Sequence, residues 1–173
     1  MKTLNMGNSK YARGEISVDK SPTDKRVVRH NLNEFPYPFD DNAFDKIIAR
    51  HILDHLHDVI GVMKEIHRIS KNGCIVEITT PHYSKGFFNL DHVHPVSVKA
   101  FYNMGTKNDN LEGMFKIKQV RFEDGYYTKN IVGKAIGKIK SFIANINPLF
   151  FESHFTYLFG GMDQFKIILE VVK

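Results

Sequence analysis

The sequence has a single cysteine, Cys74, among its 173 residues. One thiol excludes an intramolecular disulfide, and its place in an apolar, strand-like run suits a small buried side chain in a reducing compartment. Cysteine pairs of zinc-finger spacing are missing, as is an aromatic RNA-binding signature. Low-complexity tracts and internal repeats are missing too, so neither a solenoid nor a disordered tail is supported. The opening MKTLNMGNSK lacks the apolar core that a secretory signal or membrane span requires, so a cytoplasmic protein is expected. The excess of positive charge is small, 24 Lys and Arg against 19 Asp and Glu. Such an excess is common on soluble surfaces, which leaves nucleic acid possible as a partner but not favoured.

At 42% hydrophobic residues, there is enough apolar material for one well-packed domain over 1–173. Short apolar strands are expected at 2–6, 15–18 and 26–30, the first ending at Gly7 and the second at Asp19. The stretch from Phe35 to Asp58, FPYPFDDNAFDKIIARHILDHLHD, joins a proline-punctuated loop, a fourth strand at 44–50 and a helix start. Val59, Ile60, Val62, Met63, Ile66 and Ile69 then recur at helical spacing, with Lys64, Glu65, His67 and Arg68 turned to water. Lys71, Asn72 and Gly73 are expected to stop that helix, glycine being favoured just past a helix end. A fifth strand at 74–79 runs into Thr80, Pro81 and His82.

Several of these strands read as apolar enough to be buried on both faces. Alternating with helices or short connectors, they predict a doubly wound α/β fold whose mainly parallel sheet is covered by helices. Further strands are expected at 115–123 and 165–172. Between them Ile131, Ala135, Ile139, Phe142, Ile143 and Ile146 repeat at helical spacing, with Lys134, Lys138 and Lys140 on the opposite side. Residues 128–160 thus read as a helical, aromatic-rich insertion. Its apolar stripe could pack on the domain, form a lid over a pocket, rest on an acidic membrane surface or make a dimer contact.

The order LNMG, SVDKSP, HNLNEFPYPFDDNAFDKIIARHILDHLHD and VMKEIHRISKNGCIVEITTPH resembles the class I S-adenosylmethionine-dependent methyltransferases, in particular those with a small methyltransferase 11-like core. The likeness is close over residues 3–82 and loose beyond. It implies a Rossmann-like sheet of seven strands with an antiparallel last strand, a helical insertion between the last two strands, and S-adenosyl-L-methionine as cofactor, released as S-adenosyl-L-homocysteine. It places the glycine-rich turn beside the cofactor's methionine portion at Gly7, Asn8 and Ser9. The family usually has an acidic residue before this turn and a second glycine in it, where this chain has Asn5 and Ser9. Asp19 corresponds to the acid that accepts hydrogen bonds from the ribose hydroxyls, with Lys20 next to it; a carboxylate's two oxygens suit a vicinal diol. Asn31 and Leu32 match the adenine contacts, and Arg50 and His51 the positions beside the methyl-donating sulfur. Asp54, His55 and Asp58 read as helix-starting residues.

Methyl transfer from a sulfonium is an in-line displacement that needs positioning, and a general base only where the acceptor must lose a proton. Histidine titrates near neutrality, so His82 and His92, in the chain after the fifth strand, are the candidate catalytic groups. His82, Asp91, His92 and His94 lack a full tetrahedral ligand set, so no metal is expected. The expected activity is methyl transfer to a small-molecule acceptor. The alternative is a non-catalytic methyltransferase-like subunit or scaffold needing a partner chain, a reading motivated by the reduced glycine turn and a start directly at the first strand. A nicotinamide-dependent oxidoreductase is disfavoured, since only Gly7 stands near the turn that would seat a pyrophosphate.

Overall fold

Residues alternate between fully and half-buried along the central strands, and that alternation decides which face of the sheet meets the core. The computed structural model describes residues 1–8, 10, 15–86, 89–105, 109–125 and 128–173. Its strands are β1 (Thr3–Met6), β2 (Ile16–Asp19), β3 (Val28–Arg29), β4 (Phe44–Arg50), β5 (Ser70–Pro81), β6 (Phe115–Glu123) and β7 (Gln164–Val171). They form one sheet in the order β3-β2-β1-β4-β5-β7-β6. The first five are parallel neighbours, while β7 runs antiparallel to both β5 and β6. The expected mixed, Rossmann-like sheet is therefore present.

Ile47 and Ala49 of β4, Val76 and Ile78 of β5, and Ile167 and Leu169 of β7 are fully buried on one face. Side chains of this size contribute about 1.5–3 kcal/mol each when fully buried. The other face is half-exposed and polar at its centre, where Glu77 is 2.7 Å from Lys46 Nζ and 2.8 Å from Lys166 Nζ. Burial on both faces does not hold: these strands alternate as a one-sided sheet does. The links from β1 to β4 contain no helix among the described residues.

Helix α1 (Val59–Ile69) crosses from β4 to β5 and buries Val62, Met63, Ile66 and Ile69, as their spacing predicts. Asp58 caps it, its side chain accepting from the Gly61 N–H at 2.8 Å. The stop expected at Lys71 to Gly73 lies elsewhere. The helix ends at Ile69 and the chain passes straight into β5, where Phe44 faces Ser70 but Lys46 faces Ile75. Residues 71–73 occupy that bulge, and Gly73 takes φ +77° within it. The third strand is shorter than the expected 26–30, since the Val27 N–H closes a turn on the Asp24 carbonyl at 3.1 Å just before it.

Three short helices, α2 (Tyr83–Gly86), α3 (Val98–Tyr102) and α5 (Pro148–His154), and the longer α4 (Ile131–Ile146) complete the second half. Of the roles open to the apolar stripe of α4, packing on the domain is excluded by its exposure. Ile139, Phe142 and Ile146 are 61%, 72% and 73% exposed, and the buried side of the helix is small and polar. β6 is an edge strand whose backbone needs partners, and α4 supplies them. Asn145 accepts from the Phe122 N–H at 2.6 Å and donates to the Phe122 carbonyl at 2.9 Å, while Ser141 accepts from the Asp124 N–H at 2.8 Å. Gly137 lets the helix approach closely: a Cβ there would lie 2.6 Å from Gly125 Cα.

Candidate functional site

Strand register assembles the site. Met6 lies opposite both Val18 and Ala49, Val18 opposite Val28, and Arg50 opposite Thr79. Gly7, Asp19, His30, His51 and Thr80, at or just past these strand ends, therefore lie along one edge of the parallel strands, the carboxyl edge where ligands bind in open α/β sheets.

At that edge Gly7 takes φ +70°, and its N–H donates to the Val18 carbonyl at 2.9 Å. Asn8 donates to the same carbonyl at 3.3 Å, and its Oδ1 accepts from the Lys10 N–H at 3.2 Å. Ser9 lies outside the described residues. Asp19 ends β2; its Oδ1 accepts from the Ser21 N–H at 2.7 Å, and among the described residues no donor reaches Oδ2. Lys20 is exposed. Asn31 is tied into its own turn, accepting from the Asn33 N–H at 3.2 Å and donating to Glu34 Oε1 at 2.9 Å. The Leu32 side chain is drawn into the core, and its carbonyl accepts from Tyr37 Oη at 2.9 Å.

Arg50 is exposed, whereas His51 turns into the site with φ +48° and donates its N–H to the Thr79 carbonyl at 2.8 Å. A non-glycine residue in this region is uncommon and strained. Burial pushes the His51 imidazole below the ordinary histidine range. The positive charge of Arg50 acts the same way, against Asp54.

Asp54 and His55 do not start α1, as their sequence position suggested. They sit in a separate 3-10 turn, Leu53–His55, because Asp58 takes the cap. Asp54 is 1% exposed, and its backbone carbonyl accepts from the N–H groups of Val93 and His94 at 2.7 and 3.2 Å. Those bonds bring the loop carrying His92 against the end of β4. His92 Nε2 stands 3.1 Å from Asp54 Oδ2, and His55 Nε2 stands 3.5 Å from it. The signal for this cluster was in HILDHLHD: a cap at Asp58 leaves no room for Asp54 in the helix.

The two histidines chosen as catalytic groups part company. His82 is fully buried among Tyr83, Phe122 and Phe165, with Nε2 2.9 Å from Glu152 Oε1 and Nδ1 2.8 Å from Ser84 Oγ. It sits in the core. Glu152, which the sequence did not single out, is its partner and also accepts from the N–H groups of Val98 and Lys99 at 2.6 and 2.7 Å. In front of this pair opens a cavity of about 470 Å³, lined by Tyr83, Ser97, Lys99, Glu152, His154 and Tyr157 among others. Burial and the neighbouring Tyr157 push the Tyr83 hydroxyl up to about 12.

Residues 4–78 match the family described as methyltransferase domain. Among curated proteins, a 47-residue segment is 40% identical to the uncharacterized protein YafE of Escherichia coli, covering 25% of this chain and 23% of that protein. Among solved structures, a SAM dependent methyltransferase from Archaeoglobus fulgidus superposes with a TM-score of 0.63 at 17% identity, over 98% of this chain and 85% of that one. A methyltransferase in complex with the Haloferax volcanii Trm112 methyltransferase activator gives 0.63 at 13% identity, over 99% and 83%. At such identities these structures establish the fold, and function must be argued from the site.

Proposed function

We propose that this chain, with a matched methyltransferase domain and the class I S-adenosylmethionine-dependent methyltransferase fold, binds S-adenosylmethionine and methylates a small-molecule acceptor. The observation that supports this reading is the register that brings Gly7, Asp19 and His51 to one edge of the parallel strands. The residues fit the cofactor: a glycine turn with positive φ allows close backbone approach, and Asp19 uses Oδ1 in its own turn, leaving Oδ2 without a donor among the described residues.

When bound, S-adenosylmethionine supplies a methyl group already activated on sulfur. Asp19 Oδ2 accepts from the ribose diol, with Lys20 beside it, while Gly7, Asn8 and Ser9 border the methionine portion. Asn31 and Leu32 border the adenine, Leu32 through backbone because its side chain is in the core. Arg50 and His51 border the sulfur, and His92 faces the acceptor side. His82 does not touch the acceptor in this scheme; through Glu152 it positions α3 and α5 around the cavity. That cavity has the volume to take a small molecule and the polar side chains to orient it, as an in-line displacement requires.

No helix among the described residues is long and apolar enough to cross a membrane. A cytoplasmic site of action accords with the lone buried Cys74. Residues 128–160 act as an appendage of a single domain, and the exposed face of α4 is available for a homodimer or partner-subunit contact; nucleic acid is not favoured.

Calorimetric titration with S-adenosylmethionine and S-adenosylhomocysteine tests the reading. Binding is expected, and Asp19→Ala should weaken it by about 1–3 kcal/mol, the scale for hydrogen bonds to a charged group. Absence of binding at millimolar cofactor would overturn it in favour of a non-catalytic scaffold.

A further inference from the structure

The cluster at Asp54 contains an arrangement that methyl transfer does not require. Asp54 Oδ2 is buried and accepts no hydrogen bond, although His92 Nε2 lies 3.1 Å away and His55 Nε2 3.5 Å away. A protonated imidazole placed to neutralise a buried carboxylate would aim its N–H at the oxygen, and neither ring does so. The His55 ring explains its own part. Its Nδ1 stands 3.0 Å from the Asp91 carbonyl, a group that can only accept. Nδ1 therefore carries the proton, and in the neutral ring Nε2 presents a lone pair toward Asp54. A ring nitrogen donating backwards to a carbonyl, which leaves the lone pair of the other to face a cation, is the usual setting of a metal-ligating histidine.

The spacing agrees. The three atoms lie within 4.8 Å of one another. Ligands at roughly 2.0–2.2 Å from a central ion stand about 3 Å apart at octahedral angles and about 3.4 Å apart at tetrahedral ones. The observed 3.1 and 3.5 Å lie close to those values. The Asn89 carboxamide, 3.2 Å from His92 Nε2, is a further polar neighbour on the same side. The loop is also held in place, since the Asp54 carbonyl fixes Val93 and His94 and Thr80 Oγ1 reaches Asp54 Oδ1 at 3.4 Å.

We propose that Asp54, His55 and His92 form a binding site for a borderline divalent cation of the Zn²⁺ or Co²⁺ class. Two imidazoles and one carboxylate suit such ions better than Mg²⁺ or Ca²⁺, which prefer all-oxygen shells. The site stands beside His51 at the end of β4, and its existence does not depend on methyl transfer. It assigns His92 a ligand's role, in place of the general base expected from sequence.

The test is titration of the chelator-treated full chain with ZnCl₂ by calorimetry, and with CoCl₂ by visible absorption. One equivalent should bind with micromolar or tighter affinity, and Co²⁺ should develop d–d bands. Asp54→Asn, His55→Ala and His92→Ala should each weaken binding at least tenfold, while His94→Ala, whose ring bonds the His57 carbonyl at 2.9 Å, should leave it unchanged. His55 is partly exposed, so His55→Ala keeps the test usable if Asp54→Asn does not fold, with circular dichroism as the check. Binding that is absent at 100 μM metal, or lost equally in His94→Ala, overturns the site; the latter would mark surface histidines as the binders. Cofactor titration of the same variants is read separately, so either proposal can fail without the other.

Discussion

The side chain that Gly7 lacks would point at Ile52: a Cβ at Gly7 would fall 2.8 Å from Ile52 Cδ1. Gly7 follows β1 and Ile52 follows β4, so this contact joins the ends of the two central parallel strands at the proposed cofactor edge. With φ at +70°, substitution meets a backbone penalty as well as a steric one. Gly7→Ala should destabilise the fold by about 1–3 kcal/mol and weaken cofactor binding. Thermal melts and calorimetry check this; unchanged values in both would show that the turn tolerates a side chain.

The α4 helix offers a contrast between a residue that looks minor and one that looks important. Gly137→Ala should destabilise by about 1–3 kcal/mol, because the added methyl would meet Gly125 and the Asp124 carbonyl at 2.6 Å, backbone atoms that cannot move aside cheaply. Phe142→Ala, at a side chain 72% exposed, should change stability by no more than about 0.5 kcal/mol. Chemical denaturation of the two variants settles the order. A larger loss for Phe142→Ala would mean that the exposed face is covered in solution.

Acid stability should depend on Asp124. Burial alone would raise its carboxyl, but hydrogen bonds from Lys140 and Lys85, at 2.7 and 3.0 Å, outweigh it and hold the group below the ordinary aspartate range. A group whose folded value is depressed contributes its stability above the unfolded value, about 3.9, and loses it as the pH falls toward the folded one. Lys140→Met removes one of the two cations. It should shift the acid unfolding midpoint upward and cost about 1–3 kcal/mol at neutral pH. An unchanged midpoint in a far-ultraviolet acid titration would contradict this.

The strands and α1 were legible in the sequence because local apolar periodicity fixes them. Val62, Met63, Ile66 and Ile69 could be chosen without tertiary knowledge. The strand ends were legible as well, which is why Gly7, Asp19 and His51, the residues of the proposed cofactor edge, emerge together on one edge of the sheet. The outward stripe of α4 was not legible, since periodicity names an apolar face without saying where it points. Here the competing demand came from the β6 backbone, met by Asn145 and Ser141. Asp54 escaped for a similar reason: its partner His92 is 38 positions away, joined through loop geometry.

His82 and His92 looked alike in sequence, and their substitutions should separate them. His82→Ala empties a site packed by Phe122 and Phe165 and leaves Glu152, 6% exposed, without its imidazole partner. Cavity formation and a buried carboxylate that loses a partner together should cost on the order of 3 kcal/mol, or roughly 6–12 °C in Tm for a chain of this size. The cavity behind Tyr83 should loosen with it, because Glu152 also holds the start of α3. The His92 side chain, 7% exposed, meets the His55 ring edge-on at 4.9 Å, and its replacement removes one of two imidazoles around Asp54. His92→Ala should cost less stability than His82→Ala while abolishing tight Zn²⁺ binding. Melting curves of the two variants, with and without Zn²⁺, check both halves: Zn²⁺ should raise the Tm of the parent chain and not that of His92→Ala. Equal Tm losses in the two variants would show that His92 is a core histidine too.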